Sequence, residues 1–149
     1  MGLTPSDNEV YRFLQSRDNP HGVISYIDSI SSPSGALVAF SATKNLGIIF
    51  GTSVDSRKAS AFKRDNCAAF TVANIASRQT VQLKGLVNQL TVDEVNQMEV
   101  DHYNKLGNDS ARFRLLKDQR FYLISTYELM YSDCAEEPWT ITWVRPRVN

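Results

Sequence analysis

The chain contains seven short segments rich in β-branched and aromatic residues, most of them separated by only a few turn-forming residues. They are GVISYI (22–27), ALVAFSA (36–42), LGIIFGT (46–52), CAAFTVA (67–73), QTVQLKGLVNQL (79–90), RFYLISTYELMY (120–131) and PWTITWV (138–144). Such segments predict β-strands. Short connections favour antiparallel pairing, because parallel neighbours need a long crossover that is usually helical. We therefore expect a mainly β fold, an antiparallel barrel with flanking helices, rather than a doubly wound parallel sheet.

The fifth segment shows the clearest strand pattern. Val81, Leu83 and Val87 fall on one face of an extended chain, and polar residues fall on the other. This alternation predicts a half-buried strand. Gly85 interrupts it, and a glycine inside a strand indicates a bulge or a close approach of another backbone. We expect one of these at Gly85.

Helices are predicted at four places between and around the strands. Ser6-x-x-Glu9 and Thr91-x-x-Glu94 are capping-box patterns, which predict helices over residues 6–17 and from Thr91 to about Gly107. A third helix follows the strand that ends at Thr52, and a short fourth one is predicted around residues 110–117. The helix that begins at Thr91 carries His102 on the face of Met98 and Leu106. We therefore expect His102 to pack in the core or at an interface rather than to form a metal or acid-base site with Glu99 or Asp101.

Composition limits the class of protein. A chain of 149 residues fits one domain, over residues 1–149. Sixteen Lys and Arg balance sixteen Asp and Glu, so no overall field would attract nucleic acid or a membrane surface. No run of 18 apolar residues occurs, and we expect a cytoplasmic location. The two cysteines and two histidines have no metal-ligand spacing, and we expect no metal site.

The helix after Thr52 begins with an unusual set of charges. Ser56 is a candidate N-cap, and Arg57 and Lys58 follow in the first turn. Cations at a helix N-terminus oppose the helix dipole by about a few tenths of a kcal/mol each. A bound anion would remove this conflict, and backbone N–H groups, a hydroxyl, an Arg and a Lys together suit a phosphate. The alternative is that both cations are simply solvated. No GxxxxGK[ST] or GxGxxG motif accompanies them.

Two stretches of the sequence resemble one known family. IIFGTSVDSRKASAFKRDNCAAF and, some fifteen residues later, RQTVQLKG are similar to segments of the pyridoxamine 5'-phosphate oxidase-like split-barrel proteins, which bind flavin mononucleotide (FMN). The order of elements agrees over roughly residues 20–130. The resemblance implies a six-stranded antiparallel split barrel that forms a homodimer, with FMN held across the interface between the two chains.

Residue by residue, the resemblance first implies a phosphate site. Arg57 and Lys58 would bind the FMN phosphate, while Thr52 and Ser56 would line the ribityl phosphate end. This agrees with the phosphate hypothesis from the charges at the helix start.

The resemblance also implies contacts with the flavin ring. Gly51 would offer its backbone to the isoalloxazine, and the amide of Gln79 would hydrogen-bond to it. The implied activity is that of an FMN-dependent oxidoreductase, a small reductase or oxidase, with NADH or NADPH as a possible electron donor. No side chain is marked as a catalytic residue.

The sequence departs from the family at positions that bear on the substrate. Where the full-length oxidases have an Arg and a Lys on the preceding strand, this chain has Ala36 and Ser41. The oxidases' substrate-phosphate residues have no counterpart between residues 91 and 120, and their C-terminal Arg-x-His is absent. We therefore do not expect oxidation of pyridoxamine phosphate. The alternatives are a non-catalytic flavin-binding or stress-response protein, or a related barrel that binds haem or a deazaflavin.

Overall fold

A computed structural model describes residues 6–107 and 117–145. Three helices and seven strands occur in this part of the chain. They are α1 (Asp7–Gln15), β1 (His21–Ile27), β2 (Pro33–Ala42), β3 (Ile48–Ser53), α2 (Arg57–Arg64), β4 (Cys67–Asn74), β5 (Gln79–Gln89), α3 (Val92–Leu106), β6 (Gln119–Asp133) and β7 (Thr140–Arg145). All seven predicted strands and three of the predicted helices are thereby confirmed. The short helix expected around 110–117 lies almost wholly outside the described residues.

The strands form one antiparallel sheet that closes into a barrel. Their order is β3-β2-β1-β4-β5-β6-β7, and β3 also pairs with β6. The barrel therefore has six strands, and β7 extends it from outside. Strand β6 makes this possible because it is 15 residues long. Its first part pairs with β3, from Gln119 to Ile124, and its last part pairs with β7, from Leu129 to Asp133. The predicted antiparallel barrel with flanking helices is confirmed.

The pairing of β5 with β6 is irregular at Gly85. Val81, Leu83 and Val87 are buried, as the alternation predicts. The register shifts between Lys84 and Gly85. A Cβ atom at Gly85 would collide with the carbonyl oxygen of Ser125 on β6. Both a bulge and a close backbone approach are therefore present at this glycine.

Aromatic side chains fill the inside of the barrel. Phe40, Phe50 and Phe70 are fully buried, and the rings of Phe40 and Phe70 meet edge to face with centroids 5.1 Å apart. Helix α2 adds Phe62, whose ring lies 6.1 Å from that of Phe50. A barrel of this size is filled by its own side chains. A ligand site is therefore expected on the outside of the barrel.

None of the helices in residues 6–107 and 117–145 is both long and apolar enough to cross a membrane.

Candidate cofactor site

The start of α2 is held by two hydroxyl groups. Ser56 is the N-cap, and its Oγ accepts a hydrogen bond from the N–H of Ala59 at 3.1 Å. The hydroxyl of Thr52, at the end of β3, donates to the same oxygen at 3.1 Å. The strand and the helix are thus linked directly. The N–H groups of Arg57 and Lys58 lie in the first turn, where a helix has no carbonyl of its own to offer them.

Arg57 and Lys58 place two positive charges at this helix start, which a charge interaction of Arg57 with the carboxylate of Asp28, beyond ion-pair distance, offsets in part. The first turn of α2 contains no acidic residue, and neither Arg57 nor Lys58 forms an ion pair with any carboxylate in the described part of the chain. Burial, and secondarily the charge of Arg57, lowers the pKa of Lys58. Both effects disfavour the charged ammonium and would be offset by an anion bound beside it.

A cavity of about 430 Å³ opens next to Lys58 on the outer side of the barrel. It lies between β1, β2, the end of β3, the start of β6 and the C-terminal half of α3. Its lining includes Gly51, Lys58, His102, Gln119 and Phe121. The volume is in the usual range for small-molecule sites, about 300–1,000 Å³. The structure thus places Gly51 and Lys58, two predicted site residues, in one cavity. Thr52 lies next to Gly51 in the chain, and Ser56 and Arg57 are at the adjacent helix start.

Gln119 also lines this cavity. The sequence did not predict it as a site residue. Gly51 on β3 pairs with Phe121 on β6, and the side-chain amide of Gln119 lies over Gly51 so closely that a Cβ atom there would collide with it. The amide of Gln119 can occupy this position because Gly51 has no side chain. No local pattern marks Gln119, because its position depends on the pairing of β3 with β6.

His102, which lines the cavity, forms a buried pair with Ser41. Ser41 Oγ lies 2.6 Å from His102 Nδ1, and the two residues are 2% and 3% exposed. Burial, followed by the charge of Lys105, lowers the pKa of His102 to about 4. The imidazole is therefore neutral at physiological pH. The expected burial of His102 is confirmed, and the structure adds a polar partner that the sequence did not indicate.

Lys105 is buried one helical turn after the same histidine. Its Nζ donates to the carbonyl oxygen of Leu14 at 2.7 Å and lies 3.3 Å from the ring centroid of Phe40. Burial lowers the pKa of Lys105 to about 7. Lys105 thus joins α3 to the end of α1, and it does not line the cavity.

Gln79 lies far from the cavity within one chain. Its side-chain amide donates to the hydroxyl of Tyr131 at 2.6 Å. Gln79 pairs with Asp133, whereas Gly51 pairs with Phe121, near the opposite end of β6. At about 3.3 Å per residue, these two positions on β6 are roughly 30–40 Å apart. One chain therefore does not bring Gln79 to the site of the other five predicted residues.

Comparison of the sequence with protein-family models and with curated proteins finds no match. Solved structures do match the fold. A pyridoxamine 5'-phosphate oxidase-related, FMN-binding protein from Nostoc punctiforme PCC 73102 superposes with a TM-score of 0.68 at 11% identity, over 97% of this chain and 99% of that one. General Stress Protein 26 from Bacillus anthracis str. Sterne has a TM-score of 0.68 at 14% identity, over 93% and 98% of the two chains.

A haem-binding protein is also similar in structure. The heme binding protein from Mycobacterium smegmatis superposes with a TM-score of 0.72 at 13% identity, over 95% of this chain but only 60% of that one. At these identities the likeness concerns the fold alone. The chain has the split-barrel fold of the pyridoxamine 5'-phosphate oxidase-like proteins, and the predicted fold is confirmed.

Proposed function

We propose that this chain is an FMN-dependent oxidoreductase that binds the phosphate of FMN at the start of α2 and its flavin in the adjacent cavity. The observation that carries this proposal is the pair of cations Arg57 and Lys58 at a helix N-terminus, with no acidic residue in the first turn, beside a cavity of about 430 Å³. Phosphate is the anion that backbone N–H groups, a helix dipole and two cations suit best. The FMN-binding neighbour with the same fold supports the choice of this cofactor.

Residues at the helix start and around the cavity would contact the phosphate and the flavin ring of FMN. Ser56 can offer its hydroxyl proton to the phosphate, because its oxygen already accepts from Ala59 and Thr52. Gly51 has no side chain, so the amide of Gln119 lies directly over it at the cavity, where this amide would meet the flavin. Bound FMN would supply the redox chemistry, while the protein binds and orients it. The electron donor is proposed to be NADH or NADPH.

Pyridoxamine phosphate is not the proposed substrate. The two cations that the full oxidases carry on this strand are replaced by Ala36 and Ser41. The hydroxyl of Ser41 is already bonded to His102 and buried. This strand therefore provides no positive charge for a second phosphate group.

The purified protein is expected to be yellow or to bind added FMN. Because only the folded chain would bind FMN, free FMN at 100 times its Kd should raise the free energy of unfolding by about 2.7 kcal/mol. The measurement is an absorption spectrum followed by thermal unfolding with FMN, haem or a deazaflavin added. A colourless protein that FMN does not stabilise contradicts the proposal, and a haem spectrum would favour the haem alternative. Anaerobic reduction of the bound flavin by NADH or NADPH distinguishes a reductase from a non-catalytic or stress-response flavoprotein.

The homodimer is proposed from an exposed face of the sheet. One row of outward side chains crosses six strands in consecutive pairings, and its members are Leu37, Val23, Thr71, Gln82, Met130 and Trp143. Leu37 is 70% exposed and Trp143 52%. Leu37 and Val23 are apolar at one end of this row and Met130 and Trp143 at the other, and exposed apolar side chains that lie together indicate a protein contact. Gln79 keeps its predicted role at the flavin only if a second chain brings it to the cavity.

Sedimentation equilibrium is expected to give twice the 16.8 kDa mass of one chain. The variant Trp143→Arg should shift the protein towards monomer, because a charge would be buried without a partner. Ile75→Arg is the matched control, since Ile75 is 90% exposed in the turn after β4 and outside the row. A wild-type monomer, or dissociation by both variants alike, would rule out this face as the interface.

A further inference from the structure

The two ring nitrogens of His102 have different surroundings. Nδ1 is 2.6 Å from the hydroxyl oxygen of Ser41. His102 as a whole is 3% exposed and lines the cavity, and its ring meets the ring of Phe121 edge to face with centroids 5.3 Å apart. No residue in the described part of the chain forms a hydrogen bond with Nε2. Within the described residues, Nε2 is therefore available to bond with a molecule in the cavity that His102 lines.

The partner of Ser41 determines which nitrogen carries the proton. Within residues 6–107 and 117–145, the side chain of Ser41 makes its single hydrogen bond to His102. If Nδ1–H donated this bond, the buried hydroxyl proton of Ser41 would have no acceptor, which is unfavourable. If Ser41 donates instead, its hydroxyl proton and Nδ1 are both paired, and only Nε2–H is left for a partner in the cavity. A neutral imidazole then carries its proton on Nε2. The low pKa of His102 agrees with a neutral ring.

We propose that His102 is a hydrogen-bond donor of the cavity, and that its Nε2–H binds an uncharged acceptor, a carbonyl oxygen or a ring nitrogen, of the bound molecule. Leu106 and Phe121 also line this part of the cavity, and apolar neighbours disfavour a charged group. Lys58 lines the same cavity and meets the anionic part of the ligand. In the flavin, the acceptor is on the polar edge of the isoalloxazine, an assignment that rests on the proposed function.

The tautomer of His102 can be measured without any ligand. In nitrogen-15 NMR spectra of the histidine side chains of the full chain near pH 7, Nε2 is expected to be the protonated nitrogen and Nδ1 the acceptor. Ser41→Ala is expected to remove this preference. A wild-type ring that is protonated on Nδ1, or on both nitrogens, overturns the proposal.

Ligand binding tests the role of the donor. His102→Leu is expected to weaken the binding of both FMN and riboflavin by about 10-fold, the loss of one hydrogen bond. Lys58→Ala should weaken only FMN, because riboflavin has no phosphate. Gln97→Ala is the control, since Gln97 is on the same helix but lines a separate cavity. In the wild type, the Nε2 resonance should shift when FMN is added.

These measurements distinguish a failure of the role proposed for His102 from a failure of the proposed function. If FMN binds and Lys58→Ala weakens it, but His102→Leu binds both ligands like wild type and Nε2 does not shift, the role of His102 is refuted and the proposed function stands. If FMN does not bind wild type at all, the proposed function and the flavin acceptor both fail. The NMR spectrum then still decides whether Nε2 is the donor. If His102→Leu does not fold, Ser41→Ala and the wild-type spectra give the answer.

Discussion

The double variant Arg57→Ala/Lys58→Ala is expected to bind FMN at least about 3 kcal/mol more weakly than the wild type, roughly 150-fold in Kd. Each single variant should lose about 1.5–3 kcal/mol, the range for a charge-assisted hydrogen bond. The two cations are adjacent, so their effects need not add. The physical reason is that both belong to a helix start with no acidic residue in its first turn. Fluorescence quenching of FMN measures the affinity directly.

A matched control removes the same charge from the same helix. Lys63 and Arg64 are in the last turn of α2, where cations favour the helix dipole and lie away from its N-terminus. Lys63→Ala/Arg64→Ala is expected to leave the affinity for FMN within about twofold of wild type. Riboflavin should bind equally to the wild type and to the Arg57/Lys58 double variant. Unchanged FMN affinity in that double variant would show that the phosphate is not bound at α2.

Gly85→Ala is expected to lower the free energy of unfolding by about 3 kcal/mol, the upper part of the range for overpacking. The new Cβ would collide with the carbonyl oxygen of Ser125 and lie 2.6 Å from Cγ2 of Ile124. A backbone oxygen in a paired strand cannot rotate away as a side chain can. Strands β5 and β6 would have to separate at the bulge. Urea unfolding measures the effect.

Gly35→Ala serves as the control for this variant. Gly35 is also in a strand, but the nearest atoms to its added Cβ are 3.7 Å and 3.8 Å away. This is ordinary van der Waals distance, and the change should stay within about 0.5 kcal/mol. Equal stabilities of the two variants would mean that β5 and β6 do not approach closely at Gly85.

Much of the fold was predictable because its signals are local. The alternation of Val81 and Leu83 indicates a strand regardless of its neighbours, since successive side chains point to opposite faces. Thr91 and Glu94 indicate a helix start for a similar reason, and the structure shows both hydrogen bonds of this capping box. Antiparallel pairing followed from short connections. Each of these inferences uses residues only a few positions apart.

The phosphate end of the candidate site could also be predicted from the sequence, because its signals are local too. Thr52, Ser56, Arg57 and Lys58 belong to one strand–turn–helix unit, so their closeness is set by the local chain. His102 offered a weaker signal, a histidine on an apolar helix face. Its partner Ser41 is 61 residues away in sequence, and nothing in either segment indicates the other.

The sequence by itself determined the strands, the capped helices and a cationic helix start suited to a phosphate, because periodicity, capping and charge act over one or two turns of chain. Only the tertiary structure decided what surrounds that helix start. The pairing of β3 with β6 places Gln119 over Gly51, and the packing of α3 on β2 joins His102 to Ser41. The pairing along β6 also places Gln79 far from the cavity within one chain. These relations depend on how distant segments pair and pack, and no local pattern encodes that.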